Sequence, residues 1–397
     1  MTGPRSRVLL HVGTPKSGTT YLQEVLWSNR ERLRDAGVLY PGDRPDAHFL
    51  ATLDLRGIDY HVPDPDTAGS WDRLAAQARA WPGTTVISHE MLAAADPGAV
   101  RHALASLSGT EVHLVVTARD LARQIPAAWQ EDVKNRGHQS FGEFARDLRD
   151  RADSYFATTF WGYQDLPAIL RTWGADLPPE RVHVLPLARG GGRDALWRRF
   201  AEVVGVDPAA VDGDLEVQNA SMGVAETNVL RLLNHEQAMD ALDWPAYDAL
   251  VKSFLAVDVL AARPGAVPLR LPADEHGWVE QWSKDAVEAV RAAGYDVVGD
   301  LDDLLPAPAN GPDPVHPDEA SGTEVRDAAV HALAAVLRRF TEERRAFDEE
   351  RARFEVDRAR PPGLRRALAH RVAREPWGHR ALQGYRVARA AWRRRSR

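Results

Sequence analysis

The chain contains no cysteine. That excludes a disulfide framework, a thiolate metal site and a cysteine nucleophile. No apolar run approaches the roughly 20 residues that a membrane-spanning helix needs. The first residues lack the pattern of a signal peptide, because Val8 to Val12 is too short an apolar stretch and runs directly into a polar loop. The expected setting is therefore cytoplasmic. What is present suits a large core: 397 residues, 44% of them apolar, with twelve tryptophans. The net charge of −7 is unevenly spread, since residues 358–397 hold thirteen arginines against one acid, Glu375. Such asymmetry marks an interaction tail.

The most informative segment is Arg7-Val-Leu-Leu-His-Val-Gly-Thr-Pro-Lys-Ser-Gly-Thr-Thr-Tyr-Leu-Gln23. An apolar strand enters a glycine-containing loop, and a helical pattern follows at once. The unpaired N–H groups and the dipole of a helix N-terminus form an anion site. Lys16 adds a full charge, and Ser17, Thr19 and Thr20 add hydroxyls. The order differs from a Walker A loop, in which Lys directly follows the second glycine. Here Lys16 precedes Gly18 by two residues, and no acidic strand end suited to magnesium follows.

The run Thr14-Pro15-Lys16-Ser17-Gly18-Thr19-Thr20 resembles the phosphosulfate-binding loop of the sulfotransferase family, bacterial members included. Those enzymes use 3′-phosphoadenosine 5′-phosphosulfate (PAPS) as co-substrate and need no metal. The resemblance covers about residues 7–300 and implies that Lys16 contacts the bridging oxygen and the sulfuryl group. It implies that Gly18, Thr19 and Thr20 hold the 5′-phosphate, with Pro15 and Ser17 completing the loop. The family's second anion element is an Arg at the end of a central strand, with a Ser eight residues later. The matching residues are Arg119, in Val115-Val-Thr-Ala-Arg119-Asp120-Leu-Ala-Arg123, and Ala127 in place of Ser. Arg123 or Gln124 stands one turn into the next helix as a substitute, and Gln130 and Lys134 lie beyond.

Alternating strands and helices predict an α/β fold. Its centre is a parallel sheet flanked by helices, a P-loop-like three-layer sandwich, with a helical extension at the C-terminus. Predicted strands are Val8–Val12, Val38–Tyr40, Thr84–Ser88, Glu111–Thr117, Val182–Leu187 and Tyr295–Val298. Predicted helices include residues 19–36, 71–81, 97–107, 194–204, 226–262 and 278–293. The expected division is a catalytic domain over 1–300, a Pro-, Asp- and Gly-rich linker over 301–325, a long helix over 326–357 and the basic tail 358–397. The long helix carries Leu333, Leu337, Phe340, Arg344, Phe347, Arg351 and Phe354 at spacings of four and three. That heptad stripe suits either a coiled coil or packing on the catalytic domain.

A base must take the acceptor proton. Three residues qualify by position: His89 and Glu90, directly after the strand Thr84–Ser88, and His48 in the loop after the first helix. In some sulfotransferases a His after the corresponding strand is the base, and His89 matches that placement. Trp129, Trp161, Tyr163 and Trp173 lie in the helical segment 125–175, where aromatic faces suit sugar rings or lipid-like acceptors. The expected acceptor is a glycan, a glycolipid or a hydroxylated metabolite. The tail, basic and amphipathic with aromatic anchors, suits an anionic membrane surface at the inner face; nucleic acid is not expected. Two other readings compete: a metal-dependent nucleotide kinase or NTPase with an altered loop, and a non-catalytic nucleotide-binding scaffold.

Overall fold

The computed structural model describes residues 6–60, 63–211, 221–307 and 313–359. The chain is α/β, built on six parallel strands with helices on both faces. Strand β1 (Arg7–His11) leads through the glycine loop into α1 (Thr19–Ser28) and α2 (Arg30–Asp35), then β2 (Val38–Leu39). Helices α3 (Ala47–Arg56) and α4 (Ser70–Ala80) precede β3 (Thr84–Ser88), and α5 (Pro97–Ser106) precedes β4 (Glu111–Ala118). Four helices follow, α6 (Leu121–Lys134), α7 (Phe141–Arg149), α8 (Tyr155–Gln164) and α9 (Leu166–Gly174), then β5 (Val182–Pro186) and α10 (Gly192–Val204). The remaining elements are α11 (Val224–Asn234), α12 (Trp244–Tyr247), α13 (His276–Ala293), β6 (Asp296–Val297) and α14 (Gly322–Ala359).

The sheet order is β2-β3-β1-β4-β5-β6. The chain leaves β1 toward one edge and leaves β4 toward the other. The gap between their carboxyl ends is therefore the topological switch point, where open α/β sheets bind ligands. The two strands stay paired into the loop: Val12 N–H donates to Val115 at 3.1 Å and Thr14 N–H to Thr117 at 2.7 Å. The glycine loop and Arg119 thus leave the sheet side by side. Strand β4 is buried from Val112 to Ala118, which explains its near-continuous apolar sequence.

Helix boundaries depart from the periodicity in two places. The predicted helix over 19–36 breaks at Asn29, whose side-chain amide bonds the Val25 carbonyl at 2.9 Å. The predicted helix over 226–262 divides into α11, a turn over Gln237–Ala241, α12 and a wide π-type segment, Asp248–Leu260. The i→i+5 bond from Ala261 N–H to Ala256 at 3.0 Å marks that wider winding. Within the predicted linker, Leu301 and Leu304 are buried in the main core, held on one turn capped by Asp300. The described residues fall into two compact units, one ending at Ala332 and one beginning at Leu333. The expected polar turn at Gln218-Asn219-Ala220 and the basic tail from Arg360 lie outside the described residues. No helix among the described residues is long and apolar enough to cross a membrane.

Four buried histidines among the described residues brace the sheet. His11 Nδ1 meets the Ser88 hydroxyl at 2.8 Å and Nε2 meets the Thr117 hydroxyl at 3.2 Å. His48 Nε2 donates to the Pro41 carbonyl at 2.8 Å, and Nδ1 accepts the Ser88 N–H at 3.0 Å. That pattern requires the neutral Nε2–H tautomer. Burial lowers both His11 and His48 to about 4. His113, the third, meets His183, the fourth, at 2.8 Å. An unfolded chain protonates its histidines near pH 6.5. Between pH 6.5 and 4 the unfolded state therefore binds more protons, and stability falls as pH falls. Each of His11 and His48 contributes about 3 kcal/mol to that loss. Asp132, raised to about 7 by burial, acts in the opposite sense. The comparison that isolates one histidine is His48→Gln against the wild type in urea titrations at each pH. The variant is expected to lose close to one proton's worth of acid sensitivity. An unchanged slope would contradict a neutral buried His48.

Candidate functional site

A cleft of about 850 Å³ opens at the switch point. Its floor is the glycine loop. Lys16 has φ 63° and Gly18 φ 88°, both left-handed. At Gly18 the left-handed backbone angle favours glycine, and a Cβ would lie 2.3 Å from the Leu196 side chain, which would have to move aside. Helix α1 starts at Thr19 with no side chain capping it and no acid in its first turn. Its N-terminal donors and the side chains of Thr19 and Thr20 line the cleft, as does Pro15.

Ser17 has a different place. Its hydroxyl is buried and points under the loop, donating to the Thr14 carbonyl at 2.5 Å and meeting the Thr117 hydroxyl at 2.6 Å. Thr117 bridges in turn to Gly13 and His11. Ser17 is thus a brace of the loop, not a group facing the cleft. Gln124 is a second brace. Its amide donates to the Pro15 carbonyl at 2.7 Å and to Gln164 Oε1 at 2.8 Å, and Gln164 donates to Pro15 at 3.0 Å. With 1% of its surface exposed, Gln124 cannot meet a ligand, which removes it as an anion contact.

The end of β4 delivers Arg119 to the cleft. Asp120 does not pair with it. Asp120 caps α6 through Arg123 N–H at 3.0 Å and also binds the Arg123 guanidinium. Arg123 is therefore neutralised, although it lines the cleft. Arg119 makes no ion pair among the described residues, and its buried Nε has no hydrogen-bond partner. Burial lowers its pKa, with Arg123 adding to the effect. A desolvated guanidinium without a partner is an anion site held ready. Ala127 and Gln130 line the same wall of α6. Gln130 Oε1 accepts the Ser221 hydroxyl at 3.2 Å, so a hydroxyl reaches this wall from a segment far away in sequence.

The cleft's central ion pair has no local signature in the sequence. Lys16 Nζ lies 2.7 Å from Glu131 Oε2, and Lys252 Nζ lies 3.3 Å from Oε1 of the same carboxylate. Burial would raise the Glu131 carboxyl, but Lys16, Lys252 and Lys134 hold it at about 2. Lys134 lines the cleft as well, its pKa lowered by burial. Lys16 and Glu131 are 115 residues apart, and only the fold joins them.

The three base candidates separate by geometry. His48 is 3% exposed with both ring nitrogens bonded to backbone, which leaves it no means of accepting an acceptor proton. His89 caps the turn Glu90–Ala94, its Nδ1 accepting Met91 N–H at 3.3 Å, and its ring packs on Phe49. Burial lowers its pKa, against the pull of the neighbouring Glu90 carboxylate. Glu90 lines the cleft and accepts the Gln23 amide at 2.8 Å. Burial opposes its charge, but His89 and Gln23 outweigh that and lower its pKa. Of the four tryptophan and tyrosine candidates for an acceptor wall, Trp129, Trp161 and Trp173 are buried in the core, and Tyr163 holds Arg56 at 2.7 Å.

The site therefore combines an uncapped helix start, a mobile-length cation on a left-handed loop residue, a desolvated arginine and an ionised carboxylate. No family model, curated protein or solved structure matches the chain.

Proposed function

We propose that this protein is a PAPS-dependent sulfotransferase acting on a hydroxyl acceptor. The observation that carries the reading is Arg119, a half-buried guanidinium with no ion pair among the described residues and a buried, unpaired Nε, beside an uncapped phosphate-type loop. Two separate anion sites on one cleft suit a nucleotide phosphorylated at both ends of its ribose. Arg119 takes the 3′-phosphate, and Thr19, Thr20 and the start of α1 take the 5′-phosphate. Ser221, presented by Gln130, supplies the hydroxyl that Ala127 lacks.

In the transfer, the acceptor oxygen forms a bond to sulfur while the bond from sulfur to the bridging phosphate oxygen breaks. The acceptor proton passes to Glu90, and the leaving phosphate carries the electron pair. Lys16 offsets that growing charge. Alignment and charge stabilisation do most of the work, as in phosphoryl transfer. Glu90 suits the role of base because its pKa is lowered and it lies on the cleft, with the Gln23 amide orienting it. The test is transfer of radiolabelled sulfate from PAPS to panels of glycans, glycolipids and hydroxylated metabolites in the presence of EDTA. Labelled product in at least one panel supports the reading. A protein that leaves PAPS intact with every acceptor but turns over ATP with Mg²⁺ is a nucleotide kinase or NTPase instead.

Glu131 bears on binding. It holds Lys16 where an incoming phosphosulfate would compete for the same ammonium. The pair is about one-third exposed on each side, so its worth is modest. Glu131→Gln is expected to tighten binding of 3′-phosphoadenosine 5′-phosphate (PAP) by about three- to tenfold, measured by calorimetry. Weaker binding in the variant would mean that Glu131 positions Lys16 for the ligand instead of competing with it.

A further inference from the structure

Helix α14 (Gly322–Ala359) carries large apolar side chains that nothing among the described residues covers. Leu333, Leu337, Phe340, Phe347 and Phe354 are all more than half exposed, and Phe354 reaches 68%. With Arg344 and Arg351 they follow one another at alternating steps of four and three. One stripe thus extends over residues 333–354, about 33 Å of helix at 1.5 Å per residue. Three phenylalanines in water on one helix face are the mark of an interaction surface.

The pattern identifies its partner. In heptad terms Leu333, Phe340, Phe347 and Phe354 occupy d, while Leu337, Arg344 and Arg351 occupy a. The g position before each arginine is acidic, Glu343 before Arg344 and Glu350 before Arg351. In a parallel, in-register pair of helices, an a side chain inserts beside the g and a residues of the other helix. Arg344 of one copy would then lie against Glu343 of the other, and Arg351 against Glu350, twice each by symmetry. Within one helix the same arginines already bind acids on their other side, Asp348 at 3.5 Å and Glu355 at 3.2 Å. The apolar d positions meet their own copies, and the acids at g offset the like charges that a-to-a packing brings together at Arg344 and Arg351. An antiparallel pairing would instead set the acidic g positions against one another.

We propose that α14 joins two copies of this chain as a parallel coiled coil over residues 333–354, with Arg344–Glu343 and Arg351–Glu350 pairs between copies setting its register. The proposal is independent of the reaction. The test uses sedimentation velocity on the full chain and two charge variants, Glu343→Lys/Glu350→Lys and Arg344→Glu/Arg351→Glu. The wild type is expected to be a dimer. Each variant alone places like charges together and is expected to weaken the dimer at least about 100-fold. Mixed in equal amounts, the two variants regain opposite charges at every site and are expected to form a heterodimer. Because the chain has no cysteine, Leu337→Cys introduces one thiol. In a parallel dimer that thiol meets its own copy and oxidises to a covalent dimer, whereas Arg338→Cys on the outer face does not. Phe340→Asp/Phe347→Asp is expected to yield monomers whose thermal shift with PAP matches that of the wild type, showing that the rest of the chain is folded. A monomeric wild type, including one that dimerises only after removal of residues 358–397, overturns the proposal. So does a dimer indifferent to these substitutions, or one without crosslinking at Leu337→Cys.

Discussion

Replacing Lys16 by Ala is expected to lower PAPS turnover by about 10²- to 10³-fold, the usual effect of losing one charge that meets developing negative charge. Binding of PAP should weaken far less, by about tenfold, because thermal and electrostatic contributions from Arg119 and the start of α1 persist. The split between the two numbers is informative. In the proposed reaction Lys16 acts chiefly as the bond to the bridging oxygen breaks, so its removal should fall on the chemical step rather than on the ground state. Lys16→Arg should rescue turnover poorly, since a planar guanidinium does not replace a compact ammonium on a left-handed loop residue. Single-turnover measurements, followed by separating PAP from PAPS, give both quantities. Turnover within threefold of the wild type in Lys16→Ala would remove Lys16 from the reaction and favour a nucleotide-binding scaffold.

Replacing Arg119 by Ala is expected to erase discrimination between PAP and 5′-AMP. The two ligands differ only in the 3′-phosphate. In the wild type that phosphate satisfies a guanidinium whose Nε is already buried and unpaired, so the desolvation cost lies in folding and not in binding. One charge-assisted contact contributes about 1.5–3 kcal/mol, a preference of about 10- to 150-fold for PAP. In Arg119→Ala the preference should fall to within a fewfold, chiefly through weaker PAP binding. Arg119→Lys should recover only part of it, because Lys offers a point charge in place of a fork. The folded state should not lose stability in Arg119→Ala, since the guanidinium makes no ion pair among the described residues and its buried Nε is unpaired. A stable variant with lost selectivity separates a ligand-binding role from a structural one. Equal preference for PAP in both proteins would assign the 3′-phosphate to other cations, with Lys134 first among them.

The features legible in the sequence are local ones. A strand, a left-handed glycine and an uncapped helix are all encoded within the stretch from Arg7 to Gln23, and they stand where periodicity and loop composition place them. Arg119 was legible through the resemblance to the family's second anion element, placed where the unbroken apolar run of β4 ends. Other features depend on contacts across long separations. Ser17 reads as a ligand hydroxyl until Thr117, 100 residues on, is seen to claim it. Gln124 reads as a helix-start polar group until Gln164 and the Pro15 carbonyl enclose it. His48 lies in a loop by composition, yet it falls within α3 and locks Pro41 to the end of β3. Glu131 has no local signature, because a carboxylate on a helix is ordinarily solvated and its lysines come from distant segments.

Calorimetry with PAP in EDTA tests the central claim most directly. The expected result is one PAP bound per chain in the micromolar range or tighter, without divalent cation, and at least about tenfold tighter than 5′-AMP. No heat with PAP, alongside saturable binding of ATP that depends on Mg²⁺, would contradict it.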